Sequence, residues 1–139
     1  MGQATWGGIT EMGSQLTLSH QAGNLVLTGR ALFGFDILGG VLTPAGTVID
    51  VQDFGFLAGV GNHPGLLRYS VGAGIGQTTL TFTDGTNSHK ESTVGVPLET
   101  QLFVQPFRFA GVGLYGYGDL NNKKSFWGWS ISVALGRVR

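Results

Sequence analysis

The sequence has no cysteine and few charged residues, and each shortage removes a class of protein. Without cysteine there is no disulfide framework and no thiolate metal site. Charged residues make up 12% of the chain, against about a quarter in a typical soluble protein. Eight basic residues balance eight acidic ones, so no bulk charge indicates nucleic acid as a partner.

Long apolar segments are also missing. No apolar run approaches the roughly 20 residues that a membrane-spanning helix needs. Residues 1–6 lack the charged and apolar regions of a signal peptide, so we expect that an exported protein would be in its mature form with an added methionine. The length of 139 residues predicts a single domain over residues 1–139.

The sequence is rich in glycine, with 25 residues. Large apolar residues also alternate strictly with small ones. In the run 125–136, the odd positions from 127 onward are large and apolar: Trp127, Trp129, Ile131, Val133 and Leu135. The even positions are small: Gly128, Ser130, Ser132, Ala134 and Gly136. Successive side chains of a strand point to opposite faces, so this pattern predicts a strand with one apolar face and one face of small residues.

Similar alternation occupies six further runs, at residues 3–20, 25–38, 48–61, 66–83, 91–105 and 109–119. Bacterial single-chain membrane barrels have an even number of strands. A split of the first run at residues 11–14 supplies the eighth strand. It also places the longer loops, 39–47, 84–89 and 121–124, at one end and the short turns at Gly23, His63 and Pro106 at the other.

Charged residues within the predicted strands share the less apolar face: Glu11, Arg30, Asp36, Asp53, Arg68, Glu99 and Asp119. Gln101, Tyr115 and Tyr117 lie on the same face. A lipid-facing Arg or Lys costs about 2–4 kcal/mol at the bilayer midplane, whereas a soluble barrel would carry its charges outside. The chain is therefore predicted to be all-β, an eight-stranded antiparallel transmembrane β-barrel with up-and-down meander topology.

Within this barrel the polar face forms a predicted lumen cluster. Arg30 and Arg68 are expected to pair with Glu11, Asp53 or Glu99, and the small residues leave room for them. Four aromatic residues are predicted to lie at the membrane interface: Trp6, Tyr69, Trp127 and Trp129.

Two irregularities are expected in the strands. The apolar positions change parity beyond Gln77, which predicts a bulge near Gln77–Thr78. Pro97 lacks a backbone donor, which predicts a bulge or local unpairing.

Four segments lie in the last third of the chain: Thr93–Phe103, Pro106–Gly118, Lys124–Phe126 and Leu135–Arg139. Together they resemble the C-terminal half of small outer-membrane barrel proteins of Bacteroidota. In architecture the chain resembles the eight-stranded OmpA/OmpX class, although its last residue is Arg139 and not an aromatic. The resemblance implies a bacterial outer-membrane location, the lipid bilayer or detergent as surroundings and the outer-membrane assembly machinery as a partner. We expect a monomer that binds no nucleic acid and no cofactor.

Catalytic and metal-binding patterns are weak. His20, His63 and His89 lack the spaced partners of a metal site, so none is predicted. Ser19–His20 and Ser88–His89 with Glu91 are the candidates for a lipid-modifying enzyme, but adjacent strand residues face opposite ways, so neither dipeptide forms a nucleophile–base pair.

The sequence therefore predicts no catalytic residues and a structural or interaction role with a side-chain-plugged lumen. Three alternatives stay open: an enzyme acting on outer-membrane lipid, a soluble calycin-like barrel that binds a small apolar ligand, and a narrow pore.

Overall fold

The computed structural model describes residues 2–7, 13–35, 47–84, 86–122 and 125–136, and these residues form eight strands. The strands are β1 (Gly2–Gly7), β2 (Gly13–Ala22), β3 (Leu25–Phe35), β4 (Thr47–Asn62), β5 (Leu67–Asp84), β6 (Asn87–Phe107), β7 (Ala110–Asn121) and β8 (Phe126–Gly136). In these ranges no helix has the length and apolarity to cross a membrane.

Each strand pairs antiparallel with the next, and β1 pairs with β8, so the sheet closes into a barrel. The closing register runs from Gln3 opposite Gly136 to Gly7 opposite Ser132. The eight-stranded meander predicted from the sequence is confirmed. The predicted split of residues 3–20 is present too, since β1 and β2 are separate strands that pair with each other; residues 8–12 lie outside the described residues.

The two faces of the wall differ as the alternation predicts. Outward side chains are large, apolar and exposed, as on β8, where Trp127 is 83% and Ile131 60% exposed. Inward side chains are small or polar and buried, as Ser130, Ser132 and Ala134 are on the same strand. This orientation is the inverse of a soluble barrel, in which the aliphatic residues would be enclosed.

The outward apolar band ends at a definite level on β5 and β6. Ile75 and Val94 are the last outward apolar residues on their strands, and Gln77, Ser92 and Lys90 follow them on the outward side. On β6 the band extends from Val94 to Val104, which matches the length of about 9–11 residues that a transmembrane strand needs. The distal parts of β5 and β6 therefore extend beyond this band.

This level explains why the predicted bulge near Gln77–Thr78 is wrong. Across these two residues β5 keeps a constant register with both β4 and β6. The parity change arises because the outward face becomes polar while Leu80, 1% exposed, points into the interior. The register shifts lie elsewhere, between Val48 and Asp50 in β4 and between Val104 and Phe107 in β6.

The turns are tighter than predicted at two places. Asp84 pairs with Asn87, so residues 87–89 of the expected loop belong to β6. Pro106 lies within β6, and the turn into β7 is at residues 108–109, because Phe107 pairs with Ala110. Residues 36–46, which include most of the predicted 39–47 loop, lie outside the described residues.

Two inward glycines mark places where neighbouring strands approach closely. A Cβ at Gly113 would overlap the carbonyl oxygen of Leu102, and a Cβ at Gly74 would overlap that of Phe56. Backbone atoms cannot swing aside as a flexible side chain can, so these positions limit the wall to glycine.

We expect Gly113→Ala to lower the free energy of unfolding by about 1–3 kcal/mol, because the added methyl group must displace the backbone of β6. The measurement is urea unfolding of protein folded in phospholipid vesicles. Gly34→Ala is the matched control, since a Cβ there has nothing within 4 Å and should change stability by less than about 0.5 kcal/mol. Equal effects of the two substitutions would contradict the close approach.

Candidate functional site in the barrel lumen

Arg30 lies at the centre of the polar interior and connects four strands. From β3 its guanidinium forms an ion pair with Asp53 on β4, and both side chains are fully buried. Nη1 donates to the carbonyl oxygen of Leu98 on β6 at 2.9 Å, and Nη2 to that of Gly118 on β7 at 3.3 Å. The other carboxylate oxygen of Asp53 accepts from the Thr78 hydroxyl at 3.1 Å. The predicted pairing of Arg30 with Asp53 is confirmed.

Glu99 is the acceptor at the end of a second network. Its Oε1 accepts from the Thr28 hydroxyl at 2.8 Å, and its Oε2 accepts from the Tyr115 hydroxyl at 2.8 Å. Because Thr28 gives its proton to Glu99, the Ser19 hydroxyl must donate across the 3.1 Å contact with Thr28. This chain of hydrogen bonds joins β2, β3, β6 and β7.

The wall is incompletely paired beside Pro97, as predicted. The β5–β6 register runs from Ala73 opposite Leu98 directly to Gly76 opposite Gly95, so the pairs between them are missing. On its other side Pro97 keeps its place opposite Asp119, so the result is local unpairing and not a bulge. Leu98 borders this gap, and its carbonyl oxygen is one of those that Arg30 reaches from inside.

The remaining predicted lumen residues with described side chains also face inward. Arg68, Gln101 and Asp119 are buried, and Tyr117 is half-buried beside Tyr115. Asp119 accepts from the Asn121 side chain at 2.7 Å. Among the described carboxylates, Asp53 pairs with Arg30 and none lies within ion-pair distance of Arg68, although Glu99 acts on Arg68 electrostatically. Glu11, the third predicted partner, lies outside the described residues.

Two predicted lumen residues and one predicted interface aromatic have no described side chain. Glu11 and Asp36 lie outside the described residues, and the Trp6 side chain does too, although its backbone pairs with Leu16 and Val133. The other interface candidates are outward and exposed. Tyr69 lies near the turn after β4, and Trp127 lies near the opposite end of the barrel. Trp129 is the next outward residue on β8, closer to the middle of the wall.

The neutral partners of the charged residues are not among the residues predicted for the lumen cluster. Thr28, Thr78 and Ser19 are buried donors, and their strand parity alone places them on the inward face. Apolar side chains lie above and below the polar network. Leu32 and Leu80 are buried toward one end of the barrel, and Val26 and Phe103 toward the other.

The histidines do not form a catalytic or metal-binding cluster. His20 and His89 lie at opposite ends of the barrel, and His63 donates to the Gln105 side chain at 3.1 Å. His89 stacks on Phe82 with ring centroids 5.3 Å apart, and its Nε2 is 3.7 Å from Glu91 at an exposed hairpin. No group of three or more His, Asp or Glu side chains among the described residues could hold a metal ion.

The chain is similar in fold to solved structures of several bacterial outer-membrane proteins. The N-terminal β-barrel domain of Pseudomonas aeruginosa OprF matches with a TM-score of 0.73 at 12% identity, covering 96% of this chain and 93% of that one. Neisserial surface protein A matches with a TM-score of 0.65 at 9% identity, covering 96% and 93%. The Yersinia pestis protein Ail matches with a TM-score of 0.61 at 12% identity, covering 96% and 97%.

These similarities show the fold. No protein-family model matches the sequence, and no curated protein matches it either.

The Arg30–Asp53 pair yields a stability prediction. Arg30→Met or Asp53→Leu alone should lower the free energy of unfolding by about 3–5 kcal/mol, because each leaves a buried charge without its partner. The double variant should lose much less free energy of unfolding than the sum of the two single losses. Urea unfolding of the three variants in vesicles measures these values.

Arg108→Met is the control for removal of a cation, since Arg108 is exposed in the turn after β6 and should change stability by less than about 0.5 kcal/mol. Additive single effects in the double variant would show that the pair is not coupled.

Proposed function

We propose that the chain is an integral outer-membrane protein whose lumen is filled by its own side chains and whose role is structural or interactive. The observation that carries this proposal is the orientation of the wall. Its outward face is a continuous apolar band, whereas Arg30, Asp53 and Glu99 are buried inside. Such a surface is stable against hydrocarbon, because the described strands close without a free edge and the outward side chains described in the apolar band carry no charge.

The side-chain contacts in the interior favour a plugged barrel over a pore. An eight-stranded barrel is just wide enough for its own side chains to fill it. Arg30 crosses the lumen from β3 to β6 and β7, and the Tyr115 side chain is fully buried beside Glu99. The apolar residues Leu80 and Phe103 occupy the two ends of this polar layer.

The extension of β5 and β6 beyond the apolar band supports an interaction role. Its outward face carries Thr79, Lys90 and Ser92, and Phe82 and His89 stack on its other face. This polar hairpin is the part of the described chain that would face an aqueous partner. In this proposal the protein is a monomer in the lipid bilayer, inserted by the outer-membrane assembly machinery.

A lipid-modifying activity receives less support. Ser88 and His89 alternate across β6, and the second candidate, Ser19 with His20, has Ser19 buried in the lumen and His20 exposed outside. Neither pair can act as a nucleophile with its base. The outward apolar face likewise opposes a calycin-like carrier, which would enclose its aliphatic residues.

The lipid-facing band predicts a position-dependent cost for charge. Ile131→Arg, at the middle of β8, should destabilise the protein folded in vesicles by about 2–4 kcal/mol. Ser88→Arg, outward on the extension, should change stability by less than about 0.5 kcal/mol.

The readout is urea unfolding, with gel migration of boiled and unboiled samples in SDS as a check that each variant forms a closed barrel. If the protein stays soluble and folded without detergent and tolerates Ile131→Arg, the membrane proposal fails.

The filled lumen predicts no steady current in planar bilayers. The double variant Arg30→Ala, Asp53→Ala removes the central side chains in a charge-neutral way, so it should conduct or flicker open. Leu16→Ala, outward on β2, is the control and should remain silent. A stable single-channel conductance from the wild-type protein would instead support the narrow pore.

A further inference from the structure

The described charges of the lumen do not balance near the barrel mouth, the end from which β5 and β6 extend. Arg30 pairs with Asp53, so its guanidinium is already matched by one carboxylate. Asp119, on β7, is fully buried, and in the described part of the chain no cation lies within ion-pair distance of it. Asp53 and Asp119 are close enough to act on each other electrostatically. Two like charges beside one guanidinium leave one negative charge uncompensated.

One oxygen of Asp119 also lacks a hydrogen-bond donor. Its Oδ1 accepts from the Asn121 side chain at 2.7 Å, whereas Oδ2 is buried and has no partner within the described residues. A buried carboxylate oxygen without a donor is costly, because its hydration is lost and nothing replaces it. Arg68, at the other end of the lumen, differs in charge balance, since Glu99 of the opposite sign acts on it electrostatically.

The wall leaves space for this carboxylate on the lumen side of β6. Gly95 is inward and buried, and a Cβ there would overlap the carboxylate of Asp119. The next inward residues toward the mouth are Thr93 and Glu91, and both are half-buried. The inward face of β6 between the mouth and Asp119 is therefore polar, which suits the passage of an ion.

These features fit a hard monovalent cation. Hard cations bind oxygen ligands, and a carboxylate oxygen without another partner offers both a ligand and a charge. A single positive charge completes the balance, because Arg30 already matches Asp53. Among the described residues no group of three acidic or histidine side chains could hold a metal ion, so a divalent ion lacks its usual ligand set. A water molecule would supply a donor but would leave the charge uncompensated.

We propose that the lumen binds one hard monovalent cation, such as Na⁺, at Oδ2 of Asp119 beneath the barrel mouth. The ion balances the charge that Arg30 leaves unmatched and relieves the repulsion between Asp53 and Asp119. The inference rests on contacts inside the lumen and not on the membrane location, so it can fail while the proposed function stands.

Urea unfolding in phospholipid vesicles at neutral pH tests this proposal, with NaCl replaced stepwise by N-methylglucamine chloride at constant ionic strength. N-methylglucamine is a cation too large for a buried site. Once Na⁺ exceeds its dissociation constant, each further tenfold rise should lower the unfolding equilibrium constant of the wild-type protein about tenfold. Asp119→Asn should abolish this response. Without Na⁺ this variant should be at least as stable as wild type, because it removes the repulsion with Asp53.

Asp50→Asn is the matched control, because it makes the same substitution on the outward face of β4, where Asp50 accepts from Gln52 at 3.2 Å. Its Na⁺ response should equal that of wild type. Gly95→Ala is the second variant if Asp119→Asn does not fold. It keeps the charge of Asp119 but displaces the carboxylate, so it should weaken the response.

Equal stability of the wild-type protein in Na⁺ and in N-methylglucamine would overturn the inference and leave water or a proton as the partner of Oδ2. A Na⁺ response that persists in Asp119→Asn would overturn it as well. Heat-dependent migration in SDS shows separately whether each protein is a closed barrel, so either result in a folded barrel leaves the proposed function intact.

Discussion

The constraint on which this structure depends is that the backbone N–H and C=O groups of a wall with an apolar outer face must find partners within the protein. The meander meets it by pairing β1 with β8, which leaves the sheet without a free edge inside the apolar band. Closure with only eight strands gives a narrow lumen. Inward positions must therefore be small, or must be side chains that bond to one another across the interior.

Arg30 shows how the interior and the wall depend on each other. Pro97 interrupts the ladder, and the neighbouring carbonyl of Leu98 receives a donor from the guanidinium inside the barrel. A buried ion pair adds little net stability by itself, because desolvation offsets much of the attraction. A one-residue slip of β3 would turn Arg30 toward the apolar outer face, so the pair favours the observed register.

The fold could be predicted from the sequence because alternation and the sidedness of charge are strong signals that each strand repeats. The end of the apolar band was misinterpreted at Gln77, since a face that turns polar and a strand that slips both shift the apolar positions by one. Partners inside the lumen were harder to predict. Arg30 and Arg68 are equally buried and share the inward parity, but only the three-dimensional stagger of the strands brings Arg30, and not Arg68, to Asp53.

The short seam between β1 and β8 has a consequence for the order of assembly. It joins Gln3–Gly7 to residues near the other terminus, whereas every other strand pairs with its neighbour along the chain. Closing so long a loop has the largest entropic cost of any pairing in the molecule. The barrel should therefore form as a curved sheet that closes last at this seam, and the seam is where a folded barrel would open first.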